Sequence, residues 1–151
     1  MQKTIVSDTS CLILLNKINR LDLLKSLFGE ITVTNIIANE FGQILPDYIV
    51  IEDPVDLKYQ QILEGFLDRG EASAIALALE KDDCLLIIDE SKGRREAKQL
   101  RINYTGTLGI LIVAKEKGLI NSTSEILDQI RKTDFRISES LIKETKKKSG
   151  E

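Results

Sequence analysis

Two short apolar runs, KTIVS at residues 3–7 and CLLII at 84–88, constrain the fold more than any other feature of the chain. Both are rich in branched side chains and neither alternates polar with apolar residues. Such runs read as strands buried on both faces, which requires a parallel sheet with helices packed on each side. Weaker strand patterns lie at 30–34, 47–53 and 101–105, with helical patterns between them at 10–18, 21–28, 70–81 and 90–100. A further helix opens on Thr107 and stops near Gly118, and two more follow at 122–132 and 138–148. Strands alternating with helices make right-handed βαβ units. The expected fold is therefore α/β, a three-layer α/β/α sandwich with a mainly parallel central sheet.

With 151 residues, two prolines, no internal repeat and no Ser/Gly-rich linker, the chain reads as one domain over 1–151. Its expected C-terminal part is helical from about 121 and ends in a mobile basic tail at 143–151. The amino terminus lacks the charged and apolar regions of a leader, and nothing approaches the roughly 18 apolar residues of a membrane span, so a cytoplasmic location is expected. Cys11 and Cys84 both sit in apolar runs and read as core thiols.

The net charge of −3 means that any nucleic-acid binding must rest on local basic patches. Histidine is absent. That removes Ser-His-Asp and Cys-His catalysis and most zinc sites, leaving carboxylates as the candidate working groups.

Asp8 and Asp89 each follow a buried strand directly, and in open parallel sheets ligands bind beyond the carboxyl ends of the strands. Glu40 follows Ile36 and Ile37 by four and three positions and so borders the apolar face of a helix. Glu71 falls in the first turn of another, where the helix dipole favours an anion. Taken singly, each has a plain explanation: a helix cap for Asp8 and Asp89, a solvated charge for Glu40, a helix-start preference for Glu71. Brought together, four carboxylates would repel by about 4 kcal/mol per pair at 4 Å and an effective dielectric of 20. They would then take up protons or bind a hard cation such as Mg2+ or Mn2+. A cation held so would activate water and polarise a phosphoryl oxygen, the chemistry of phosphodiester hydrolysis. On a helix from Ser91, Arg94, Lys98 and Arg101 would form one basic stripe near Asp89, either a solvated face or a phosphate-binding one.

The stretches IVSDTSCLILL, NIIANEF, RGEASAIALAL, LLIIDESKGRREAKQLRI and GTLGILIVAKEKGLI, in that order over about residues 4–120, resemble those of PIN domains, in particular the small prokaryotic proteins related to VapC-type toxins. The resemblance implies an α/β/α sandwich and an Mg2+- or Mn2+-dependent endoribonuclease. It assigns Asp8, Glu40, Glu71 and Asp89 to the catalytic and metal-binding quartet, and Ser10 to a supporting hydroxyl. It also implies RNA as substrate, a possible antitoxin partner, and a homodimer or higher homo-oligomer. Ile87 stands where many such domains carry Ser or Thr, and Glu90 adjoins Asp89, which is the acid expected to face the metal. The alternative is a non-catalytic PIN-like module that binds RNA or protein. Receiver domains and haloacid-dehalogenase phosphatases need a second acid near Asp8 that SDTSC lacks, and neither G-x-G-x-x-G nor a P-loop is present.

Overall fold

The structure, a computed structural model, describes residues 3–151; Met1 and Gln2, where the expected domain begins, lie outside the described residues. Strands β1 (Thr4–Ser7), β2 (Ile31–Val33), β3 (Ile49–Ile51), β4 (Cys84–Ile87) and β5 (Asn103–Thr105) form one all-parallel sheet in the order β3-β2-β1-β4-β5. Nine helices surround it among the described residues: α1 (Thr9–Lys17), α2 (Asp22–Phe28), α3 (Asn35–Phe41), α4 (Leu57–Glu64), α5 (Arg69–Leu79), α6 (Ser91–Gln99), α7 (Thr107–Glu116), α8 (Thr123–Arg131) and α9 (Glu139–Lys148). This is the expected three-layer α/β/α sandwich.

The chain leaves β1 toward β2 and β3, then returns to β4 and β5 on the other side. The switch in direction therefore falls between β1 and β4, where such sheets open a crevice at their carboxyl ends. The register aligns Ser7 with Ile87 and Ile87 with Thr105, so β1, β4 and β5 end at one level. The main core joins the strands to α1, α3 and α5, and α5 is buried continuously from Gly70 to Ala78. Its small alanines let the helix lie close against its neighbours. A second cluster packs Leu14 and Leu23 against Leu111, Ile126, Leu127, Ile130 and Ile142, docking the C-terminal helices. Cys11 and Cys84 are free and buried. No helix among the described residues is long and apolar enough to cross a membrane.

Two details depart from the sequence reading. Helix α4 was not foreseen. Helix α6 stops at Gln99, so Arg101 does not continue a helical stripe from Arg94 and Lys98. Its backbone is left-handed, at φ 59°, with Arg101 N donating to Lys98 O and Ile102 N to Ala97 O. That is a helix-ending motif usually built on glycine, anchored here by the burial of Ile102 against Ala97. The segment read as a basic tail, 143–151, is helical through Lys148. The Glu151 carboxylate then accepts hydrogen bonds from Thr123 N (2.6 Å), Ser124 N (3.0 Å) and Ser122 Oγ (2.9 Å) and pairs with Lys115. It thereby satisfies the open N–H groups that begin α8. Burial pushes this carboxyl upward, but these donors outweigh it and hold the group well below the usual carboxylate range.

Candidate active site at the carboxyl edge of the sheet

Asp8 leaves β1 at the switch point and is buried, at 3% exposure. One carboxylate oxygen caps α1 by accepting from Cys11 N at 3.0 Å. The other accepts from Asp89 N at 2.9 Å. The two acids that end the neighbouring strands are thus joined through the backbone of one and the side chain of the other. Burial first, then the charge of Asp89, pushes the Asp8 carboxyl from its ordinary 3.8 up to about 7, against the lowering effect of the two N–H donors.

Asp89 is fixed by α7. Its oxygens accept from Thr107 N (2.8 Å) and Thr107 Oγ1 (2.6 Å), so the start of that helix orients the carboxylate. Thr107 supplies the hydroxyl that Ile87 cannot. In sequence Thr107 reads only as a helix start; the signal that points to the site is its position just beyond β5, level with the acids. The neighbouring Glu90 is exposed at the start of α6 and makes no side-chain capping bond.

Glu71 is buried in the first turn of α5, and its Oε2 has no hydrogen-bond partner. Burial, then the adjacent Asp68, which caps α5 through Glu71 N, raises its carboxyl from 4.5 to about 8, with Glu90 and Asp8 adding to the rise. Asp68 is a member of the acidic edge that the sequence reading passed over. Glu40 lies toward solvent, where its Oε1 accepts from Thr9 Oγ1 at 2.6 Å. Of the two hydroxyls that directly follow Asp8, that of Thr9 rather than Ser10 reaches an acid. A side chain at Gly70 would run into the Glu40 carboxylate, so Glu40 stands against the turn that carries Glu71.

All four predicted acids therefore border one edge, with Asp8 and Asp89 tightly joined, Glu71 within electrostatic reach of Asp8 and Glu40 at the rim. Among the described residues no three such groups are drawn close enough to hold a metal ion as they stand. The donor set nonetheless suits a hard divalent cation. It is all oxygen, it includes an unsatisfied buried carboxylate atom, and two of its acids retain protons near neutrality.

Glycines keep the space open. A Cβ at Gly106 would lie 2.8 Å from Asp89 Oδ1, and one at Gly93 would lie 2.8 Å from Glu71 Oε2 and run into the buried Ile88 side chain. Gly93→Ala should therefore destabilise the protein, by less than the full overpacking cost of about 1–3 kcal/mol, because alanine regains about 1 kcal/mol of helix propensity and the ends of Ile88 and Glu71 can shift in part. Urea midpoints would show it, and an unchanged midpoint would mean that Glu71 swings freely.

Of the basic residues, Arg94 reaches the site. It lines the cavity beside Asp89, its guanidinium lies 5.4 Å from the Tyr104 ring centroid, and it enters no ion pair among the described residues. Lys98 is exposed one turn further along α6, and Arg101 lies past the helix end.

Neither the curated proteins nor the solved structures include a significant match to the chain. A family profile described as PIN domain matches residues 4–151. PIN domains are in general nucleases and typically depend on divalent metal, which accords with an acidic edge at the switch point of a parallel sheet. On that match the chain belongs to the PIN-domain family.

Proposed function

We propose that the protein is an Mg2+- or Mn2+-dependent ribonuclease that hydrolyses phosphodiester bonds of RNA. The observation that carries this reading is the junction of Asp8 and Asp89 at the switch point, with the unsatisfied Glu71 oxygen nearby. Asp8, Asp89 and Glu71 would hold the cation, with Glu40 completing the set from the rim. When bound, it supplies Lewis acidity toward a phosphoryl oxygen and an activated water.

The chain's own groups do the rest. Thr107 fixes the Asp89 carboxylate, and Cys11 N and Asp89 N fix that of Asp8, so neither acid has to be ordered when substrate arrives. Glu71 retains a proton near neutrality and can release it as positive charge enters the site. Arg94, braced on Tyr104, is free to meet a phosphate, and Lys98 can add a weaker contact along the backbone.

The second reading, a PIN-like module that binds RNA or protein without cutting it, is favoured by one observation: no three of the acids are grouped for a metal. One assay separates the two. Wild-type protein should cleave end-labelled single-stranded RNA with Mg2+ or Mn2+, a chelator should stop it, and Asp8→Asn should lower the rate by about a hundredfold or more. Identical fragment patterns from wild type and variant, or cleavage that survives the chelator, would overturn the nuclease reading.

A further inference from the structure

We infer that the cavity running from Asp89 toward the C-terminal helices seats one unpaired nucleobase of the RNA, next to the phosphate that Arg94 meets. The inference rests on the nuclease reading and adds to it a subsite shared between α7 and residues beyond 120.

The cavity measures about 570 Å³, within the roughly 300–1,000 Å³ of small-molecule sites. Its lining mixes polar and charged groups with one apolar wall. Leu108 and Ile112 of α7 line it together with Phe135 and Ile137, from the connection between α8 and α9. The Phe135 ring is held from outside the cavity lining by Lys17, whose Nζ lies 5.6 Å from the ring centroid.

Charge is confined to particular places on this lining. Asp89, Glu90 and Arg94 belong to the strand-edge side, whereas Arg136 and Lys148 come from the C-terminal part. Lys148 is occupied by Glu144 at 2.9 Å, so of the two C-terminal cations that line the cavity Arg136 is the one without an acid partner among the described residues. An apolar wall carrying Phe135, with an unpaired arginine from each part, matches a flat aromatic base flanked by phosphates. Bases stack readily on aromatic side chains, and cations follow the backbone. A paired base inside a duplex cannot enter such a slot without leaving its stack, so the geometry selects single-stranded or extruded nucleotides.

The chain contains no tryptophan, so Phe135→Trp introduces a single indole reporter. AMP should quench its emission saturably, while inorganic phosphate should leave it unchanged. Adding Ile112→Phe, which fills the slot, should weaken AMP by about tenfold or more. Should Phe135→Trp fail to fold, amide resonances of residues 107–112 in the wild-type protein should shift on titration with AMP and stay in place with phosphate. Equal responses to AMP and phosphate, or resonances of 107–112 that stay fixed at millimolar AMP, overturn the inference. AMP binding requires no cleavage. A protein that binds AMP in this way yet cuts no RNA would count against the nuclease reading alone.

Discussion

Asp89→Asn should lower RNA cleavage by about a hundredfold or more while raising the melting temperature of the metal-free protein at pH 8. The loss follows from removing a charged oxygen donor from the acidic edge. The gain follows from the hydrogen bonds. An asparagine at 89 can still accept from Thr107 N, and its amide can donate to Thr107 Oγ1 once that hydroxyl turns, so both links to α7 survive. What disappears is the negative charge that, after burial, does most to hold Asp8 near 7. The rise of Asp8 from 3.8 to about 7 corresponds to about 4 kcal/mol at 1.4 kcal/mol per pH unit. If Asp89 contributes on the order of 1 kcal/mol of that, the melting temperature should rise by about 2–4 °C for a protein of this size. Calorimetry at pH 8 with chelator would measure it. At pH 5 Asp8 is already protonated and the difference should vanish. A drop of several degrees at pH 8 would mean that Asp89 serves chiefly as the anionic cap of α7.

Asp8→Asn should part from Asp89→Asn in stability while matching it in activity. Both Asp8 oxygens accept from backbone N–H groups that cannot turn round. An amide there sets its own NH2 against Cys11 N or Asp89 N, at a cost of about 1–3 kcal/mol. That cost offsets what the protein gains by losing a buried carboxylate.

How far the site could be read from sequence follows from the same local physics. Asp8 and Asp89 were legible because buried strands announce themselves, and an acid directly after one falls at the crevice of a parallel sheet. Thr107 was not, because a hydroxyl at a helix start is explained equally well by capping; only the register linking Ile87 with Thr105 brings it to Asp89. Helix α4 escaped because its apolar residues are misplaced for a pattern: Leu57 and Ile62 are exposed while Gln60 is buried. The end of α6 was hidden because the left-handed position that stops it carries Arg101 rather than glycine. The docking of Glu151 was not legible either, because its partners at the start of α8 lie 27 to 29 positions back along the chain. Contacts over such separations leave no periodic trace.

Divalent metal should offset part of the pH dependence of stability. Without it, the folded carboxyls of Asp8 and Glu71 titrate at about 7 and about 8, against ordinary values of 3.8 and 4.5. Between those limits the native state binds more protons than the unfolded chain, so unfolding free energy falls as pH rises. The contribution is fully present below about pH 4 and is lost as pH climbs through 7 and 8, by up to about 1.4 kcal/mol per pH unit for each group. Melting temperatures in chelator should therefore fall between pH 5 and pH 8. A cation that binds the deprotonated acids acts in the opposite sense. At a hundredfold excess over its dissociation constant it adds about 2.7 kcal/mol, or about 5–10 °C, at pH 8. At pH 5, where protons hold the same oxygens, it should add little. Melts at the two pH values with chelator or Mn2+ give four numbers and one required pattern. Stability that stays level from pH 5 to pH 8, joined with indifference to Mn2+ at pH 8, would show that Asp8 and Glu71 neither retain protons nor exchange them for a metal ion.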